Sequence, residues 1–325
     1  GSAADSITAG LIGTAIVGGG GADIVVGGMD SDIFYLNAGD FEAGESITDA
    51  SATDDDWLFV LGNNDLTTGT VSGLNKLWIV SAAVGYDHVE AGILGLTDQP
   101  TTLILTGAQM QGFAALEFIF QTAATVDVRL ETGIDTDLSG LTVTGMASTD
   151  RILITGTGAS DTFTGSDAAE TIYGLEGANM LTGGGGEDRF RFSDTDGLTD
   201  RIADFAFDVD RMEFDSTRFS TIGNDFDSVI GEDGFGSAYL GGADVATLTD
   251  VYTSAQDLAD AYMQFVGSAV TQDHTFFALA SNGASDVLYY LSGTFFEGST
   301  TFTAVPIAEL AGITGGYLPV DFAYY

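Results

Sequence analysis

Carboxylates set at a fixed spacing among glycines are the residues of this chain best suited to chemistry. Residues 18–26 read GGGGADIVV and residues 27–35 read GGMDSDIFY. Residues 156–164, 165–173, 174–182 and 183–191 read GTGASDTFT, GSDAAETIY, GLEGANMLT and GGGGEDRFR, without a gap. The units at 18–26 and 183–191 match G-G-x-G-x-D-x-U-x at every fixed position, U being a large apolar residue. The sixth residue is Asp23, Asp32, Asp161, Glu170, Asn179 or Asp188. With two nine-residue units to a coil, residues 18 apart share an edge, so Asp161 is expected to face Asn179 and Glu170 to face Asp188. Each such pair, with turn carbonyls between, forms an oxygen cage. Hard oxygen donors without nitrogen or sulfur select Ca²⁺. The candidate metal residues of the first block are Gly18, Gly21, Asp23, Gly27, Asp30 and Asp32. Those of the second are Gly156, Asp161, Gly165, Asp167, Glu170, Gly174, Gly177, Asn179, Gly183, Gly184, Gly186 and Asp188. Asn179 lacks charge and Glu170 is one methylene longer, which weakens sites there. Glycine–aspartate turns that bind nothing are the alternative.

The elements that would position these residues follow from the same units. Six residues turn, with glycine permitting left-handed backbone, and three form a short strand. The U side chains Val25, Phe34, Phe163, Ile172, Leu181 and Phe190 are expected to point inward. Between the blocks, residues 36–155 hold short apolar runs such as WLFV (57–60), LWIV (77–80), TLIL (102–105) and RILIT (151–155), spaced irregularly and punctuated by Gly, Asp, Asn and Thr. SATDDDWLF (51–59) and GMASTDRIL (145–153) repeat the turn in decayed form, with Asp56 and Asp150 two residues before an apolar position. Asp54, Asp55 and Asp56 form either another metal edge or a solvated acidic turn. An irregular parallel solenoid or an inserted antiparallel sandwich would fit this stretch. After about residue 216 the pattern changes. TSAQDLADAYMQFVG (253–267) predicts a helix with Ser254 as N-cap, and 274–280 with 286–292 predicts a hairpin centred on Asn282-Gly283.

Charge narrows the function classes. The chain has 325 residues, 48 acidic and 8 basic, for a net charge of −40. Such a field repels nucleic acid and anionic membranes and attracts cations. Glycine, at 45 residues, is about twice its usual share. There is no cysteine, hence no disulfide and no thiolate metal site. No run of 18 apolar residues predicts a membrane span. The two histidines, His88 and His274, lie outside any H-E-x-x-H and are expected at the surface. No G-x-S-x-G elbow or Walker loop occurs. Carboxylate pairs abound and leave a glycosidase or lyase open by composition, but the acids cluster in turns of repeating register, where metal binding explains them, so no enzymatic activity is expected. Gly1-Ser2 reads as a cloning remnant, so the chain is expected to be part of a longer protein.

The nonapeptides resemble those of the RTX (repeats-in-toxin) family of secreted bacterial proteins. The stretch TDRIADFAFDVDRMEFD (199–215) resembles the segment that closes such rolls, with Asp200, Asp204, Asp208 and Asp210 alternating with Ile202, Phe205, Val209 and Met212. The resemblance implies that Asp204, Asp208 and Asp210 complete the last sites; a plain amphipathic capping pair of strands is the other reading. It further implies several Ca²⁺ ions, type I secretion, and a C-terminal signal for which the tail DFAYY is suited. The expected fold is all-β: a right-handed parallel β-roll or β-solenoid with RTX calcium turns, capped by a small C-terminal α+β domain. Its expected parts are roll turns at 1–36, irregular solenoid at 37–155, roll and closing segment at 156–215, and the cap at 216–325. The expected function is a Ca²⁺-dependent structural protein of the bacterial exterior, surface-layer-like, self-associating or binding cell-surface polysaccharide. The alternatives are the carrier tail of a secreted enzyme or the stalk of an adhesin.

Overall fold

Runs of three to six β-branched and aromatic residues, each stopped by a glycine or aspartate turn, can form only short strands. The computed structural model describes residues 1–49, 51, 53–80, 101–119, 126–131, 135–193, 197–207, 209–219, 229–232, 245–251, 254–266, 274–282, 284–296, 299–311 and 322–324. It is predominantly β, with several parallel sheets. The chain divides into two units, Gly1–Thr155 with Thr164–Glu170, and Gly156–Phe163 with Thr171–Tyr325. The expectations for Asp208 and His88 lie outside the described residues.

In the first unit the strands are β1 (Ser6–Thr8), β2 (Ala15–Val17), β3 (Ile24–Val26), β4 (Ile33–Leu36), β5 (Ser46–Thr48), β6 (Trp57–Leu61), β7 (Asn64–Asp65), β8 (Thr70–Ser72), β9 (Lys76–Val80), β10 (Thr101–Thr106), β11 (Ala115–Ile119), β12 (Val126–Glu131), β13 (Thr136–Asp137), β14 (Thr142–Thr144) and β15 (Arg151–Thr155). They alternate between sheets, so that β1, β3, β5 and β8 form one and β2, β4, β6, β9, β11 and β14 another. Ser6 pairs with Ile24 and Ala15 with Ile33, a spacing of 18 residues. The next rungs lengthen, Ile24 pairing with Ser46 and Ile33 with Trp57. Longer turns accommodate the extra residues while the inward column is kept: Phe34, Leu58, Leu77 and Leu116 lie in register and are buried. The described pairings from β5 to β15 are parallel, which excludes the antiparallel sandwich for those residues.

In chain order follow β16 (Thr162–Thr164), β17 (Glu170–Tyr173), β18 (Met180–Thr182), β19 (Arg189–Phe192), β20 (Asp200–Ile202) and β21 (Arg211–Phe214). In the second unit Thr171 pairs with Arg189 and Arg189 with Arg211, again in parallel. Phe163, Ile172, Leu181, Phe190, Ile202 and Met212 are fully buried, as the two-residue side-chain alternation requires. Val209 departs from the expected alternation: it sits in a turn before β21 and is 43% exposed. The remaining elements are β22 (Val229–Glu232), β23 (Val245–Val251), the helix Ala255–Val266, β24 (His274–Ser281), β25 (Asp286–Phe296), β26 (Ser299–Leu310) and β27 (Phe322–Tyr324). Ser254 Oγ accepts the Asp257 N–H at 3.1 Å, the N-cap bond expected of that serine. β24 and β25 form an antiparallel hairpin, and β26 joins β25 on one side and β20 on the other. Rings of Phe214, Phe219, Phe277 and Tyr290, with centroids 4.4 to 5.8 Å apart, pack this end of the unit. Among the described residues no helix is long and apolar enough to cross a membrane.

Candidate metal centre

Three aspartates meet in the first unit. Asp32 immediately precedes β4, Asp56 immediately precedes β6 one rung on, and Asp49 immediately follows β5 of the other sheet. Their relative exposures are 0%, 0% and 8%, and one carboxylate oxygen from each lies within 4.8 Å of the others. Two oxygens bound to one Ca²⁺ at about 2.4 Å can be no more than about 4.8 Å apart, so the three fit around a single ion.

Main-chain hydrogen bonds fix the three side chains. Asp32 Oδ1 accepts the Thr14 N–H at 2.7 Å and Oδ2 accepts the Gly28 N–H at 2.6 Å. Asp56 Oδ1 accepts the Asp32 N–H at 2.9 Å, and Asp49 Oδ1 accepts the Ser51 N–H at 2.6 Å. Gly27 forms the floor: a Cβ there would lie 1.7 Å from Asp49 Oδ2 and 3.1 Å from Asp32 Oδ2.

Asp56 Oδ2 is buried and has no hydrogen-bond partner. Burial, then repulsion from Asp49, Asp54 and Asp32, pushes the Asp56 carboxyl up to about 6, although the Asp32 N–H works against this. The Lys76 ammonium is engaged elsewhere, 2.9 Å from Asp55 and 4.7 Å from the Trp57 ring centre. Asp56, buried beside two further carboxylates, is the acid of this group that a proton or a metal ion would balance. An oxygen-only donor set suits a hard divalent cation.

A related cluster precedes the other sheet. Asp23 and Glu45 stand before β3 and β5 in adjacent rungs, both buried. Asp23 Oδ1 accepts the Asp5 N–H at 2.8 Å, while its buried Oδ2 has no hydrogen-bond partner. Burial, with repulsion from Asp23, Asp40 and Glu42, pushes Glu45 up to about 7 against the Glu42 N–H. Gly18 lies beneath Asp23, a Cβ there falling 2.6 Å from Asp23 Oδ2, and the Gly21 N–H donates to Glu42 at 3.0 Å. Asp30 is exposed in its turn.

The acids of the second block sit in a different chemical setting. Asp161 Oδ2 accepts the Thr157 N–H at 2.7 Å and the Thr157 hydroxyl at 2.9 Å. Glu170 accepts from the N–H and hydroxyl of Ser166. Asn179 Oδ1 accepts the Asp161 N–H at 2.9 Å. Asp200 Oδ1 accepts from both the main-chain N–H and the side-chain amide of Asn179, at 2.8 and 2.9 Å. Asp204 takes the Gly183 and Gly184 N–H groups, each at 2.9 Å. Asp210 takes those of Asp188 and Ala206, at 3.1 and 2.7 Å. Asp167 is exposed, and Gly165 is buried beside Ser166. Gly156, Gly174 and Gly183 leave room for the side chains of Asp161, Asn179 and Asp188, whose atoms a Cβ would meet at 2.9, 2.5 and 2.4 Å. Gly177, Gly184 and Gly186 adopt left-handed backbone.

Sequence reasoning did not find Asp49. It lies off the repeat register, after a strand rather than before one, and only the meeting of two sheets brings it to Asp32. Asp56 was visible as part of a decayed turn. Compared with known proteins, the chain matches no family model and no curated sequence.

Proposed function

We propose that the chain is a structural protein of the cell exterior whose first unit is stabilised by a divalent cation, Ca²⁺, held by Asp32, Asp49 and Asp56. The observation that carries this reading is the buried Asp56 Oδ2, which meets no donor beside two further carboxylates. The nonapeptide units, the alternation of parallel strands between sheets and the oxygen-only acidic centre support an RTX-like β-roll or β-solenoid. The net charge of −40 supports a cation-linked fold. Without the ion the acids repel one another; with it, binding free energy becomes folding free energy. Millimolar Ca²⁺ outside a cell would supply that term, and the low concentration inside would withhold it. Secretion in a loosely folded state and assembly at the surface follow as parts of the same proposal.

The test is a CaCl₂ titration of the EDTA-treated chain, followed by circular dichroism, thermal melting and light scattering. Melting temperature is expected to rise with CaCl₂ and to fall back on chelation. Growth of particles at saturating CaCl₂ would favour a self-assembling protein over a carrier tail or stalk. An unchanged melting temperature in EDTA and CaCl₂ would overturn the cation reading.

A further inference from the structure

We infer that the second repeat block, residues 156–215, is held by hydrogen bonds from its own main chain and requires no metal ion, so that the cation response belongs to the centre at Asp32, Asp49 and Asp56. The first half of this statement stands without the proposed function; the second half rests on it.

The argument turns on what faces each carboxylate. Turn N–H groups reach acids in both blocks, Gly28 at Asp32 among them, but the centre at Asp32 includes the buried Asp56 Oδ2, which no donor meets. In the second block donors reach Asp161, Glu170, Asp204 and Asp210. Thr157, Ser166, Gly183, Gly184 and Ala206 all aim amide donors at a carboxylate of the block. Each such charge-assisted bond offsets part of the carboxylate charge. Asn179 makes the contrast sharpest. It occupies the ligand position of its unit, yet its side-chain NH₂ donates to Asp200 Oδ1 at 2.9 Å and to the Leu175 carbonyl at 3.3 Å. An amide donor therefore stands where an oxygen cage needs an oxygen. Asp204 likewise clamps the two amides of the GGGG turn at 183–186, which makes that turn an anion cradle.

Rung-to-rung bonds complete the block. The Asp161 N–H reaches Asn179, the Asn179 N–H reaches Asp200 and the Asp188 N–H reaches Asp210. Among the described residues, buried side-chain oxygens without a hydrogen bond lie at residues 23–127, and none lies within 156–215. The most regular repeats are thus the ones with least demand for a metal. The centre at Asp32, Asp49 and Asp56 draws on irregular segments.

Hydrogen–deuterium exchange of the intact chain, in EGTA and in excess CaCl₂, tests this. Peptides spanning 156–191, which hold the Asp161, Asn179 and Asp188 amides, are expected to exchange within about twofold of each other in the two conditions. Peptides spanning 23–58 are expected to exchange about tenfold or more faster in EGTA. A tenfold acceleration at 156–191 as well would overturn the inference while leaving the cation reading intact. No change in either region would uphold metal independence of 156–191 and remove the cation reading of the first block. Calorimetry of Asp200→Asn gives a second readout, because asparagine keeps the oxygen that accepts from Asn179. The number of bound Ca²⁺ ions is expected to equal that of the unmodified chain, and loss of an ion would overturn the inference.

Discussion

The main-chain N–H of Asp32 donates to Oδ1 of Asp56, one rung on, at 2.9 Å. One carboxylate oxygen thereby ties two rungs together, while the other is left buried without a donor. The same relation recurs between Thr14 and Asp32, Asp56 and Asn75, Asp161 and Asn179, and Asn179 and Asp200. The repeated acid is therefore first a main-chain acceptor, a task an amide oxygen performs equally well at Asn75 and Asn179. Charge matters only where the second oxygen lacks a donor.

Asp56→Asn and Asp56→Ala separate these two roles. Asparagine keeps the acceptor for the Asp32 N–H and removes a charge from the centre. Its apo form is expected to melt above the unmodified apo chain, with Ca²⁺ affinity reduced about tenfold or more. Alanine leaves the buried Asp32 N–H unmet, which costs about 1–3 kcal/mol in either condition. Calorimetric CaCl₂ titration and melting in EGTA read both effects. Unreduced affinity in Asp56→Asn would remove the residue from the centre.

Stability without metal should pass through a maximum in mildly acid solution. Glu45 and Asp56 have folded-state values raised to about 7 and about 6, so their protonated forms favour the fold. That stability is complete below their unfolded values near 4 and is lost as pH rises through 6 and 7, at about 1.4 kcal/mol for each pH unit between the unfolded and folded values. Glu213 behaves oppositely: its value is lowered, because the Arg191 and Arg189 guanidiniums outweigh a burial that would raise it. Its stability is present above about 4.5 and lost below. Chemical denaturation of the metal-free chain is expected to show declining stability between about pH 4.5 and pH 7, and Glu45→Gln to flatten the decline. Saturating CaCl₂ should oppose the decline. A flat apo profile over this range would contradict the assignment.

Glu213 is a buried acid whose balance comes from arginine. Its carboxylate lies 2.5 Å from Arg189 and 2.8 Å from Arg191 and is 4% exposed. Glu213→Gln is expected to lower stability by about 1–3 kcal/mol, since it removes the charge paired with both guanidiniums. The loss should be equal in EGTA and in CaCl₂. A loss confined to CaCl₂ would mean that this acid belongs to a metal site.

Side-chain alternation made much of the β architecture readable from the sequence. Val25, Phe34, Phe163, Ile172, Leu181 and Phe190 are buried because a large apolar residue two places after the acid can only point inward in a three-residue strand. The helix at Ala255–Val266 and the hairpin of β24 and β25 also carried local signals, a serine cap and an Asn-Gly turn. Asp49 carried none, because its place depends on two sheets meeting rather than on a period. Whether an acid faces a donor was equally hidden. Asp161 and Asp23 occupy the same place in their units, yet the Thr157 N–H turns toward one and no donor meets the buried Oδ2 of the other.

Two glycines give the sharpest separation of site from scaffold. A Cβ on Gly27 would meet the end of the Asp49 side chain at 1.7 Å, and that carboxylate can swing aside at the expense of the three-aspartate centre. Gly27→Ala is therefore expected to leave melting in EGTA within about 1 kcal/mol of the unmodified chain. It should abolish most of the CaCl₂-induced rise. Gly177 has φ of +104°, and a Cβ there would lie 2.6 Å from the main chain of Ala159, which cannot move without shifting its rung. Gly177→Ala is expected to cost about 2 kcal/mol or more with and without CaCl₂, from left-handed strain and backbone overlap together. Equal behaviour of the two variants in EGTA and CaCl₂ would mean that Gly27 is only a turn residue and that the centre above it does not bind the ion.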